Sequence, residues 1–297
     1  MVASQYFLNG ISYAIIKSKW GRAVSLTQIA IVIALGIIEG ITEWLPISST
    51  GHMLLFDNVL TIDASAQFKS MFFVVIQLGA ILAVVILYWN KLWPVGREVK
   101  GRLTWKKDTL SLWLKTIVAI IPSGVVGLLF DDWMDEHLHT PIVIAIALIV
   151  YGVLFIVIER WNKARTPITK STDDISYKLA LYVGLFQVLS LVPGTSRSGA
   201  TIMGALILGL DRTTAAEFCF FMGIPTMAGA SLIKLLKFGF NFSSTELLIL
   251  LLGTVTAFLV SLAVIKFLMA YIKKRDFTLF GIYRIVLGAI IILLCNV

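Results

Sequence analysis

Six apolar runs dominate the chain, at about 71–90, 110–130, 141–159, 216–236, 247–270 and 278–296. Each approaches the roughly 20 residues needed to cross a bilayer core as a helix. The charges between them alternate. Residues 91–110 carry Lys91, Arg97, Lys100, Arg102, Lys106 and Lys107 against only Glu98 and Asp108, which reads as a cytoplasmic loop. Residues 131–140 carry Asp131, Asp132, Asp135 and Glu136 with no lysine or arginine, which reads as an external one. Arg160, Lys163, Arg165, Lys170 and Lys178 mark the next cytoplasmic loop, and Lys273, Lys274 and Arg275 the last. This alternation leaves the C-terminus outside.

Two further apolar regions, about 28–60 and 178–210, do not fit as crossings. Each is a short helical run, then a break rich in Pro, Gly, Ser and Thr, then a second short run. Neither half is long enough to span about 30 Å at about 1.5 Å per residue. The pattern predicts two re-entrant helix–loop–helix hairpins, each followed by three spans. Irregular backbone is tolerated at membrane depth only where protein or a polar chamber surrounds it. Three spans per unit is an odd number, so the second unit enters inverted, and such repeats place their working site near the midplane where broken helices meet. The expected architecture is an all-α integral membrane protein of six transmembrane helices plus two re-entrant hairpins. A single membrane domain covers 28–297, with one repeat over about 28–160 and the other over about 178–297, after an N-terminal extension over 1–27.

Composition agrees. Of 297 residues, 58% are hydrophobic and 14% charged, and the mean hydropathy is +0.91, against about 45–50% apolar and about 25% charged in soluble domains. The net charge of +8 lies in short loops between apolar runs, so it points to membrane topology and not to nucleic acid. Cys219 and Cys295 lie in apolar segments without a CxxC spacing and read as buried small hydrophobes.

The chemistry concentrates in the two breaks. In Glu39-Gly-Ile-Thr-Glu43-Trp-Leu-Pro46-Ile-Ser48-Ser49-Thr50-Gly51-His52, two carboxylates share one helix face four residues apart. An ionisable group at membrane depth costs roughly 2.5–3.5 kcal/mol, so it marks function by default. Paired carboxylates repel unless a proton or cation lies between them, and hard oxygen ligands suit Mg²⁺ or Ca²⁺. Glu39 and Glu43 are thus candidate metal ligands. Ser48, Ser49, Thr50 and Gly51 offer N–H groups at a helix start, a nest for anionic oxygens. In the second break, Pro193-Gly194-Thr195-Ser196-Arg197-Ser198-Gly199-Ala200-Thr201, the guanidinium of Arg197 matches phosphate, and Ser196, Ser198 and Thr201 add hydroxyls. Gln77 sits in mid-span beside Gly79 and is read as packing or chamber lining. Arg284 and Lys266 lie near helix ends and are read as snorkelling. A basic fork, two acids, a histidine and clustered hydroxyls suit phosphoryl chemistry on a phosphorylated lipid. Inverted repeats with broken helices equally suit a transporter or flippase of such a lipid.

The two motifs, with Ile76-Gln77-Leu78-Gly79, resemble those of the undecaprenyl-pyrophosphate phosphatase family linked to bacitracin resistance. The resemblance covers about 28–297. It implies hydrolysis of a C55 isoprenyl pyrophosphate to the monophosphate carrier and inorganic phosphate, serving cell-wall synthesis in a bacterial plasma membrane. It also implies a site open to the external face, with Glu39, Glu43, Ser49, His52, Ser196, Arg197 and Ser198 as functional positions. Ser49, His52 or an activated water remain alternative nucleophiles, and a homodimer remains open.

Overall fold

The computed structural model describes residues 24–56, 60–97 and 103–295. Residues 1–23, the body of the expected N-terminal extension, and Glu98, Lys100 and Arg102 lie outside the described residues. Helix starts follow short polar side chains that accept from the first-turn N–H groups. Ser25 caps α1 (Leu26–Thr42) and Ser65 caps α3 (Ala66–Val75), with the eight-residue α2 (Ser49–Phe56) between them. The helix α4 (Gln77–Leu87) follows α3 after one turn at Ile76, and a single turn, α5 (Trp89–Leu92), ends that rod.

A two-stranded hairpin, β1 (Val95–Arg97) with β2 (Leu103–Trp105), departs from the all-helical expectation. The β-branched and aromatic residues there favour extended backbone. Exposed Trp89, Trp93, Leu103 and Trp105 give this end the aromatic belt of a membrane interface.

Next comes α6 (Lys107–Leu138). It carries the acidic stretch on as helix where a loop was expected, because no helix-breaking residue intervenes before Pro141. Thr140 caps α7 (Pro141–Asn162), which has its proline at the first helical position. The second half repeats the plan: α8 (Tyr177–Val188), a 3₁₀ turn at Leu189–Leu191, α9 (Arg197–Ile207), α10 (Arg212–Phe238), α11 (Ser244–Ile272) and α12 (Thr278–Leu294).

Among the described residues, five helices are long and apolar enough to cross a membrane: Ala66–Leu87, Lys107–Phe130, Pro141–Asn162, Arg212–Phe238 and Ser244–Ile272. Three apolar helical stretches are shorter, and α12, with 17 residues, is one of them. The chain is thus an α-helical, multi-pass membrane protein. Its surface bears this out: Leu82, Ile86, Leu114, Val157, Leu251 and Leu259 are at least half exposed, while Glu39, Glu43, His52 and Arg284 are buried. Lipid explains such an inside-out arrangement, since water would not leave hydrocarbon outside and charge inside.

Packing pairs the two halves. The largest interface joins α7 to α12; α11 lies on α1 and α4, and α6 lies on α8 and α10. Small residues let these backbones touch. A Cβ on Gly152 would come within 2.7 Å of the Gly281 carbonyl, and one on Gly281 within 2.7 Å of the Gly152 carbonyl. No side chain can flex to relieve such a contact. Gly281→Leu is therefore expected to separate α7 from α12, cost about 1–3 kcal/mol and lower the unfolding temperature in detergent. An unchanged melting curve would show that this crossing is not tightly packed.

Candidate active site at the meeting of the two helix breaks

Both breaks turn on the same device. Among the described residues only two non-glycine positions have positive φ, Ser48 at 73° and Ser196 at 71°. A serine there is strained, and such strain persists only where surroundings impose it. Each serine immediately precedes a short helix and accepts from the N–H three residues on: Ser48 Oγ from Gly51 at 3.4 Å, Ser196 Oγ from Gly199 at 3.2 Å. Ser49 and Arg197 thereby occupy equivalent first positions of α2 and α9. Helix N-termini are ready anion sites, since their first N–H groups have no partner within the helix.

Across the breaks, Arg197 Nη2 donates to Glu43 Oε1 at 2.9 Å, with both side chains largely buried. Arg197 Nη1 donates to the Cys219 carbonyl at 2.8 Å. A Cβ on Gly223 would lie 2.8 Å from that nitrogen, so the bare glycine of α10 makes room for the guanidinium. The other Glu43 oxygen accepts from Ser49 Oγ at 3.4 Å. Ser198 Oγ lies 3.2 Å from the Glu43 carbonyl, 3.3 Å from the Leu45 carbonyl and 3.1 Å from Ser196 Oγ. One turn before Glu43, Glu39 is buried, and its Oε1 finds no partner among the described residues.

His52 stands one turn beyond Ser48. Its Nδ1 donates to the Ser48 carbonyl at 2.7 Å, and its Nε2 lies 2.7 Å from Tyr283 Oη, with the two rings stacked at 5.6 Å. In the neutral ring that Nε2 accepts from the tyrosine hydroxyl, so both ring nitrogens are engaged.

The structure therefore gathers Glu43, Ser48, Ser49, His52, Ser196, Arg197 and Ser198 into one bonded cluster, with Glu39 a turn away. Gly51 packs against Leu148, and Thr50 is half-buried beside it. Thr201 is buried, and its hydroxyl donates to the Arg197 carbonyl at 2.8 Å, steadying the helix that carries Arg197. Among the described residues no hydrogen bond ties Gln77 to the cluster; it opens α4, where Gly79 lies directly on the backbone of α11.

Arg284 corrects an expectation. It does not reach toward an interface; it is fully buried, whereas Lys266 is exposed as expected. Arg284 Nη1 donates to the Pro46 carbonyl at 3.3 Å, and Nη2 donates to the carbonyls of Gly194 and Thr195 at 2.9 and 2.8 Å. One guanidinium thus holds the backbone of both breaks at corresponding points. Its position in an apolar run was visible in the sequence, but carbonyl partners carry no side-chain signature. Tyr283, the partner of His52, left no signal at all.

The family model described as bacitracin resistance protein BacA matches residues 32–290. An undecaprenyl-diphosphatase of Enterococcus faecalis is 63% identical over 272 residues, covering 92% of this chain and 99% of the relative. Proteins of the same name from Acetivibrio thermocellus and Streptococcus thermophilus are 57% and 55% identical, covering 88% and 87% of this chain and 95% and 90% of theirs. The Glu43–Arg197 bridge joins the two motifs that the sequence singled out, and both lie inside the matched span: this chain belongs to the bacitracin resistance protein BacA family.

Proposed function

We propose that this protein hydrolyses undecaprenyl diphosphate to undecaprenyl phosphate and inorganic phosphate in the bacterial plasma membrane. The observation that carries this is the Arg197–Glu43 pair, which joins the start of α9 to the end of α1 and is buried among hydroxyls. The names borne by relatives of 52–63% identity support it. A diphosphate headgroup brings several negative charges into the membrane, and Arg197 with the N–H groups opening α2 and α9 offers them compensation before any chemistry begins.

Ser49 is the nucleophile in this proposal. Its Oγ points to Glu43, which accepts the proton as Oγ attacks the terminal phosphorus. The bridging P–O bond breaks, and undecaprenyl phosphate leaves. Water then cleaves the phosphoserine and releases phosphate, returning the proton to Ser49. His52, with both nitrogens engaged, positions the Ser48 turn through its carbonyl instead of attacking. Arg197, Ser196 and Ser198 hold the terminal phosphate.

A divalent cation fits beside these groups. Glu39 leaves a buried oxygen without a partner among the described residues, and two carboxylates are a hard donor set. Among the described residues no group of three or more His, Cys, Asp or Glu converges, so Glu39 and Glu43 alone would hold Mg²⁺ or Ca²⁺, with substrate oxygens and water completing the shell. Bound there, it would supply charge neutralisation at the phosphate.

The finer architecture is part of the proposal. The pairing of α1 with α11 mirrors that of α8 with α6, and the twin positive-φ serines mirror each other. Both support six crossings with two re-entrant hairpins in an inverted repeat within one membrane domain over 28–297. The loop charges support a site open to the external face and an external C-terminus.

Phosphate release from undecaprenyl diphosphate by purified protein in detergent, where no gradient exists, should proceed; its absence with intact binding would favour a carrier. Arg197→Ala is expected to slow turnover about 10²–10³-fold, and a phosphorylated peptide containing Ser49 should be trapped at early times. A phosphohistidine at His52, or no covalent species, would overturn the serine step. Gly223→Ala should displace the Arg197 guanidinium, cut turnover and lower the unfolding temperature together. Chelation of divalent ions should abolish release, and full activity in chelator would remove the cation from the scheme.

A further inference from the structure

Far from this cluster, at the other end of α9, three segments distant in sequence converge on a second charged feature. The end of α7 and its following loop, the start of α10 and the end of α11 enclose a cavity of about 460 Å³ lined by Lys163, Arg165, Arg212 and Lys273. A neighbouring cavity of about 360 Å³ shares Lys163 and Arg212 and adds Lys274 and Arg275. Arg165 Nη1 donates to the Ile207 carbonyl, the last residue of α9, while Arg197 is its first. Ten residues at about 1.5 Å each put the two features roughly 15 Å apart along one rod.

The acids here are already engaged. Glu159 is fully buried, takes a fork from Arg212 Nε and Nη2, and accepts from the Phe277 N–H. Asp211 Oδ1 caps α10 through the Thr214 N–H at 2.7 Å. Asp276 pairs with Lys163 at 3.3 Å and accepts from the Thr278 N–H. Among the described residues Lys273, Lys274 and Arg275 form no salt bridge, and all three are exposed. The positive-inside rule accounts for basic loops, but it does not make loops far apart in sequence share one concavity. Here Lys163, Arg165, Arg212, Lys273, Lys274 and Arg275 outnumber the lining carboxylates Asp211 and Asp276, the first capping α10 and the second paired with Lys163. Beside it, Trp161 at the end of α7 and Ile168 in the loop that follows present exposed apolar surface.

We propose that this concavity is a second anion site, separate from the hydrolytic one, that binds a phosphate-bearing group at the basic face of the membrane. Lys163, Arg165 and Lys273 are its ligands; Arg212 is held by Glu159 and forms its floor. Cationic pockets between helices at a basic membrane face are suited to phosphorylated headgroups, and forked guanidinium donors suit phosphate oxygens in particular. The same chemistry admits a lipid phosphomonoester or free phosphate.

Two measurements on the full chain in detergent separate these sources. Native mass spectrometry would count retained phosphatidic acid, a lipid phosphomonoester, with phosphatidylcholine as control; calorimetry would measure inorganic phosphate. Wild-type protein is compared with K163Q/R165Q/K273Q, which leaves the Arg212–Glu159 fork in place, and hydrolysis is followed in parallel. Selective loss of phosphatidic acid by about tenfold in the variant, with phosphatidylcholine unchanged, marks a headgroup site. Loss of one of two phosphate-binding events marks a free-phosphate site. Unchanged retention and unchanged phosphate binding together would overturn the proposal. Hydrolysis within about twofold of wild type is expected throughout, so failure of this site and failure of the phosphatase reading remain distinguishable.

Discussion

The bridge between Glu43 and Arg197 is the contact on which the rest of the molecule depends. Each partner sits where a short apolar helix breaks, and each would be costly alone in hydrocarbon. A buried charge pair is stable only when its remaining lone pairs and protons also find partners. Here Ser49 and the Cys219 carbonyl meet one group on each partner, leaving Arg197 Nε unpartnered among the described residues, and Ser198 from the second half lies against two carbonyls of the first break. The breaks bring a helix end, at Glu43, against a helix start, at Arg197. The bridge persists because the surrounding helices seal it from lipid.

Arg284 shows the same constraint from a different side. Three carbonyls, from two breaks far apart in the chain, engage both terminal nitrogens of one guanidinium that has no carboxylate partner among the described residues. Carbonyl oxygens freed by a broken helix need donors, and a forked cation meets several at once. The positive φ of Ser48 and Ser196 is sustained by this clamp together with the serines' own capping bonds. Strain at a site is thereby held by the tertiary structure and not by local preference.

Glycine pairs complete the arrangement. Gly152 and Gly281 bring α7 and α12 into backbone contact, and the second of these sits one turn from Arg284 on the same helix. Gly199 and Gly223 leave open the volumes that the two arginines occupy. Close helix approach and the placement of charge are therefore one problem solved by the same residue type. Exposed leucines and isoleucines around the outside face the solvent that makes this arrangement favourable.

The amino-acid sequence by itself determined the apolar periods, the loop-charge alternation, the two broken regions and the residue types within them. These follow from local composition and from the length a helix needs to cross hydrocarbon. It read residues 131–140 and 91–110 as loops, where the structure continues α6 to Leu138 and forms the β1–β2 pair, because helix and strand ends depend on neighbours. Only the tertiary structure decided that Arg284 clamps both breaks, that Tyr283 holds His52, and that Glu43 takes Arg197 as its partner. The physical reason is that backbone carbonyls occur at every position and side-chain partners lie far apart in the chain. Which donor meets which acceptor is fixed when the helices pack.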